Sequence, residues 1–232
     1  MGSAADRVKS PARISVWHDR RTPSRLSRKS DHPAGLDRDR ITVASVALLD
    51  AEGLAGFSMR RLAAKLDVTA MSLYWYVDTK DDLLELALDS VFDETAPPPQ
   101  TGADWRDRLR ELATGYRTML VGHPWASELA GRFPNIGPHA TRFSYAVRDV
   151  IRMTSLPPCD RTGAAAAVFR FVHGFGTIEG QAVQRALEAG SGGGDAVEQT
   201  YERDFAFALD LLIAGIEAMC AREDDERVRG GR

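Results

Sequence analysis

Cysteine is nearly absent: the 232-residue chain holds two, Cys159 and Cys220. Two thiols in helix-like contexts build neither a disulfide framework nor a zinc pattern, and the five histidines show no metal-ligand spacing. Long apolar runs are missing too. None approaches the ~20 residues that span a bilayer, and the Arg-rich N-terminus lacks the apolar centre of a secretory signal. A cytoplasmic protein with reduced thiols is the expectation. No strand-like alternation and no repeat interrupts the helical periodicity, so the expected fold class is all-α. Phosphate cradles are absent in substance. "GFGTIEG" (174–180) has GxGxxxG spacing but lies inside a helix with no strand before it, and "SGGGD" (191–195) lacks the Lys-Ser/Thr of a phosphate loop. No cofactor, no metal and no catalytic residue is expected.

What is there is an uneven charge. The net charge is −3, yet residues 1–80 carry 14 Lys and Arg against 9 Asp and Glu, and the remainder 16 against 24. A basic end on an acidic body suits a polyanion partner, although solvated surface charge explains the imbalance about as well. Residues 1–36 mix Arg, Ser, Pro, Asp and Gly without periodicity, and read as a disordered basic arm. Residues 37–95 read as one helical domain. "APPPQTG" (96–102) marks a hinge, residues 101–223 a second helical domain, and 224–232 a disordered tail.

Within the first domain two short helices, 58–66 and 69–77, flank "DV". Ser58 and Thr69 suit N-caps. Ala63 is small enough for a close crossing. Asp67, four residues on, tolerates left-handed backbone angles, though glycine would do so at less cost. Leu62, Leu66, Val68, Leu73 and Val77 would lock the pair together. This is the spacing of a helix-turn-helix, against the alternative of an ordinary helical hairpin. Tyr74, Trp75 and Tyr76 are consecutive, so no single helix face buries all three. Leu73 and Val77 point inward. The opposite face carries Ala70, Met71, Ser72 and Trp75, apolar groups and a hydroxyl suited to thymine methyls, base edges and phosphates. In the competing reading, Trp75 or Tyr76 packs on the neighbouring helix or on the second domain, and this is expected for part of the Tyr76 surface.

The stretch "ITVASVALLDAEGLAGFSMRRLAAKLDVTAMSLYWYVDTKDDLLELALD" resembles the DNA-binding domain of the tetracycline-repressor (TetR) family, over residues 36–90. The second domain is similar, more loosely, to that subgroup's ligand-binding domain through "HPWASELAGRFPNIGP", "GFGTIEGQ" and "FAFALDLLIAGIEA". The resemblance implies a ligand-responsive repressor that binds a palindromic operator as a homodimer and is released by a small apolar inducer. It implies that Arg60 reaches a guanine edge or phosphate, and that Thr69, Ala70, Met71, Ser72 and Trp75 line the major groove. Tyr74, Tyr76 and Lys80 would hold phosphates. Asp67 stands where the family usually has glycine.

Helices near 160–188 and 200–222 are apolar on more than one face, which calls for a second layer of partners. The implied homodimer supplies one, and a wholly intrachain core is the alternative. An apolar ligand pocket is expected from Trp105, Tyr116, Met119, His123, Trp125, Phe133, Arg142, Tyr145, Phe169 and His173. Each of these, taken singly, is more often core. A DNA-binding protein without ligand response is the rival reading, and an enzyme a remote one. Residues 7–29 hold eight Lys and Arg against one Asp. Deleting residues 1–30 is expected to lower DNA affinity and flatten its dependence on log salt. An unchanged slope in fluorescence-anisotropy titrations would mark the arm as idle.

Overall fold

The computed structural model describes residues 15–17, 36–95, 104–189 and 194–230, with 187, 188, 194–197 and 224–230 as backbone only. Nine α-helices and one 3₁₀ turn make up these residues, with no strand among them, so the fold is all-α. The helices are α1 (Arg38–Gly56), α2 (Met59–Lys65), α3 (Ala70–Leu73), α4 (Lys80–Val91), α5 (Trp105–Gly122), α6 (Pro124–Arg132), α7 (Pro138–Arg152), α8 (Pro158–Glu188) and α9 (Gly194–Gly230). The 3₁₀ turn, Phe92–Thr95, prolongs α4. The expected hinge at 96–102 lies outside the described residues, as does most of the arm and the start of the 191–195 connector. Two expectations need correction. Backbone helix runs through 224–230, where a disordered tail was expected. Ser15, Val16 and Trp17, inside the presumed disordered arm, are packed against the fold, and Ser15 is buried.

Local chemistry sets the helix starts. The Asp37 carboxylate accepts from the Arg40 amide (2.7 Å) at the head of α1. Ser58 caps α2 and Thr69 caps α3. Thr79 and Asp82 form a reciprocal capping box at α4. Proline opens α6 and α7 at a position whose amide has no helical partner. Gly53 breaks the regular course of α1 at φ 65°.

Helices α1 to α4 form a head around Ile41, Leu49, Leu62, Leu73, Leu83 and Leu84, all fully buried. Each such side chain contributes roughly 1.5–3 kcal/mol by burial. The body packs α5, α6, α7 and α9 around α8. Two glycines of "GFGTIEG", Gly176 and Gly180, belong to this packing. A Cβ on Gly176 would stand 2.8 Å from Leu120, and one on Gly180 would stand 3.1 Å from the Leu120 carbonyl oxygen. Their spacing lets α8 cross close over α5, a packing role the sequence reading did not assign.

Between those glycines Glu179 is fully buried. The Arg117 guanidinium of α5 donates to both its oxygens, at 2.7 and 2.5 Å, and lies 5.2 Å from the centre of the Phe205 ring of α9. One ion pair thus joins three helices. Breaking it from one side leaves a buried charge unpaired. Arg117→Met should lower stability by about 3–5 kcal/mol. The double variant Arg117→Met/Glu179→Leu should recover most of that loss in urea denaturation at fixed protein concentration.

Candidate DNA-reading head and the body behind it

The turn between α2 and α3 follows the spacing the sequence predicts. Ala63 is buried at the crossing, its carbonyl accepts from the Val68 amide (3.0 Å), and Asp67 takes φ 55°. Leu62, Leu66, Leu73 and Val77 are buried and Val68 is half-buried. The expected second helix, 69–77, is shorter than predicted. Regular α-helix covers only Ala70–Leu73, and residues 74–76 continue as tight turns with bonds three residues apart, such as Tyr76 amide to Leu73 carbonyl (3.0 Å).

Those turns set the surface. Met71 is 71% exposed and Trp75 55%, with Tyr74 exposed beside them. Ala70 and Ser72 are half-buried, and Arg60 on α2 is exposed. The Thr69 hydroxyl accepts from the Ser72 amide (3.2 Å) and lies 2.9 Å from the Ser72 hydroxyl, so both are held together at the start of the reading element. A thioether and an indole offered to solvent by a short element are poorly explained by the protein's own core. Apolar groups on such a face are suited to contact with thymine methyls.

Two expected phosphate holders are turned elsewhere. The Tyr76 hydroxyl donates to the Leu36 carbonyl (2.6 Å), tying the end of the arm to the reading element. The Lys80 ammonium donates to the Phe57 carbonyl (2.7 Å) and sits 5.4 Å from the centre of the Phe57 ring. In this arrangement both groups brace the head rather than reach outward. Arg61 pairs with Glu52 and also donates to the Gly56 carbonyl (3.3 Å). The sequence reading missed that bracing, although a charged residue beside a glycine-closed helix end was its available signal.

Behind the reading element lies α4. Its residues 82–89 are all buried, including three carboxylates: Asp82, Glu85 and Asp89. Spacings of three and four put them on one helix face. Each carboxylate is satisfied by a different part of the chain. Asp82 accepts from the Thr79 and Asp78 amides (2.8 and 3.2 Å). Glu85 accepts from the Ser15 hydroxyl (2.8 Å) and the Val16 amide (2.9 Å). Asp89 accepts from the Ala140 and His139 amides (2.9 and 3.3 Å) at the start of α7 in the body. Burial pushes the Asp89 carboxyl above its usual range, against the pull of these two amides and of His139 and Arg142. Gly137 leaves room for it, since a Cβ there would meet the carboxylate at 2.2 Å.

The expected pocket residues fall into separate places. Tyr116 stacks on Phe92 at 5.7 Å and lies 5.2 Å from Phe143 and 6.4 Å from Phe169, ring centre to ring centre. Its hydroxyl is 3.3 Å from His173 Nδ1. Burial raises the Tyr116 pKa and lowers that of His173, so the pair is neutral near pH 7. Tyr116, Phe169 and His173 are therefore together, and Met119 is buried on the same helix as Tyr116. His123 and Trp125 turn to the head instead: His123 Nδ1 and the Trp125 indole nitrogen lie 2.7 and 2.6 Å from Asp50 of α1. Arg142 pairs with Asp93, holding that carboxyl below its usual range. Phe133 lines a cleft against α4. Trp105 lies under the Arg106 guanidinium (4.6 Å), and Tyr145 is exposed on α7. Sequence reasoning missed Asp50, whose partners are more than seventy residues away.

Among the described residues no helix is long and apolar enough to cross a membrane, and no group of three His, Cys, Asp or Glu side chains is placed to hold a metal ion. Replacing Tyr76 by Phe should cost about 1 kcal/mol of stability and leave the salt slope of DNA binding unchanged, because the lost bond is internal. Replacing Trp75 by Ala should leave stability near wild type, cost about 1–3 kcal/mol of binding and relax specificity. Thermal melts and competition gel shifts separate the two effects.

Comparison with known proteins agrees with this geometry. Residues 41–87 match the family of bacterial regulatory proteins described as the tetR family, and residues 98–200 match the tetracyclin repressor-like C-terminal domain. An HTH-type transcriptional regulator of Saccharopolyspora erythraea is 41% identical over 65% of this chain, and the match spans 63% of that regulator's length. The HTH-type transcriptional repressor DrrR1 of Streptomyces coeruleorubidus is 34% identical over 91% of this chain and 86% of its own. The crystal structure of the TetR family protein ActR of Streptomyces coelicolor, in complex with actinorhodin, superposes with a TM-score of 0.67. Its identity is 26%, over 81% of this chain and 98% of ActR. These families and relatives are transcriptional regulators, not enzymes, and the chain belongs to the TetR family of helix-turn-helix DNA-binding regulators.

Proposed function

We propose that the chain is a ligand-responsive repressor, cytoplasmic, which binds a palindromic operator as a homodimer and is released by a small apolar inducer. The carrying observation is the pairing of an outward reading face, Met71 and Trp75, with a buried lever, α4, that bonds directly to the body through Asp89. DrrR1 is named a repressor and ActR is seen with a ligand. Both support this reading.

The dimer reading rests on the outer faces of α8 and α9. Ile178, Phe207, Leu211 and Met219 are exposed, and a shallow apolar groove runs between the two helices past Ala164, Leu212 and Ile216. A second copy of the same helix pair would cover these faces. Two heads joined in this way must stand about 34–36 Å apart, or a multiple of it, to enter successive major grooves. The inducer acts by preferring a body shape in which α4 sets the heads at another spacing. That shift can be no larger than the ligand's differential affinity for the two shapes.

One observation favours a regulator without ligand response. The rings of Phe92, Tyr116, Phe143 and Phe169 fill the middle of the body, with centres 5.2–6.4 Å apart. A ligand there must part them.

Two measurements test the proposal. Phe207→Asp/Leu211→Asp should convert the dimer to monomer in sedimentation velocity and abolish operator binding while leaving the fold intact. A small apolar ligand that occupies the body should bind more weakly in calorimetry when operator is present, by the factor with which it weakens operator binding. Equal affinities would leave the ligand-independent regulator as the better reading.

A further inference from the structure

Glu85 is a carboxylate buried in the middle of α4. Two of its donors, the Ser15 hydroxyl and the Val16 amide, come from 70 and 69 residues earlier in the chain. The Ser15 hydroxyl also accepts from the Trp17 amide (3.3 Å), which bends the segment back on itself. Trp17 is half-buried. It lines a narrow cleft with Leu88 and Phe92 on the α4 side and Phe133 and Ile136 on the body side. The segment therefore lies across the seam between lever and body, held by two donors on a buried acceptor and by one aromatic side chain.

We propose that Ser15–Trp17 is an intrachain clasp: it docks this part of the arm in the cleft between α4 and residues 133–137 and fastens lever to body. Undocking it takes two donors away from the buried Glu85 carboxylate and the Trp17 side chain out of the cleft, so both walls of the seam loosen together.

The test is hydrogen exchange by mass spectrometry on the full chain. In wild type the peptide covering residues 15–17 should exchange much more slowly than a free chain. In Ser15→Ala/Trp17→Ala that protection should vanish, and exchange in α4 and at 133–140 should quicken while α8 stays as it was. Free-chain exchange at 15–17 in wild type overturns the clasp. Wild-type exchange in α4 and at 133–140, in a variant that has lost protection at 15–17, overturns its role in the seam.

Discussion

Three buried carboxylates on one face of α4 constrain the rest of the molecule. A carboxylate removed from water must be met by donors or it costs several kcal/mol. Asp82 is met by the start of its own helix, Glu85 by the arm and Asp89 by the first amides of α7. One helix face thus specifies where the reading element ends, where the arm returns and where the body begins. Apolar packing around Leu83, Leu84, Leu86 and Leu88 supplies bulk stabilisation but tolerates sliding. The carboxylates favour one register, because the donors at Thr79, Ser15 and Ala140 meet them at fixed points along the helix.

This arrangement explains how a head of four helices communicates with a body behind it. Polar contacts at two further carboxylates reinforce the seam outside α4. The Asp50 carboxylate of α1 receives the Trp125 indole N–H and lies beside His123, and Asp93 pairs with Arg142 and lies beside His139. Both α6 and α7 of the body are therefore bonded to the head side of the seam.

The parts of the fold legible in the sequence are those set by near neighbours. Ala63, Asp67 and the caps Ser58 and Thr69 act within four residues, and the structure places them as their spacing predicts. The length of the reading helix was not legible, because the turns at 74–76 accompany a Tyr76 bond to Leu36, forty residues away. The burial of the α4 carboxylates was not legible for the same reason: the donors to Glu85 and Asp89 lie 50 to 70 residues distant. Of the expected pocket, Tyr116, Phe169 and His173 converge. His123, Trp125 and Arg142 joined the seam, since an aromatic or charged side chain between two domains has the same composition as one facing a ligand.

The central claim is that α4, through its buried carboxylates, makes head and body one cooperative unit. Native-state hydrogen exchange across a denaturant series tests it most directly. The account predicts that the amides of Leu84–Leu88 exchange only with global unfolding, together with those of α1 and α8. An opening of α1–α3 and α4 at lower free energy, with α8 still protected, would contradict it.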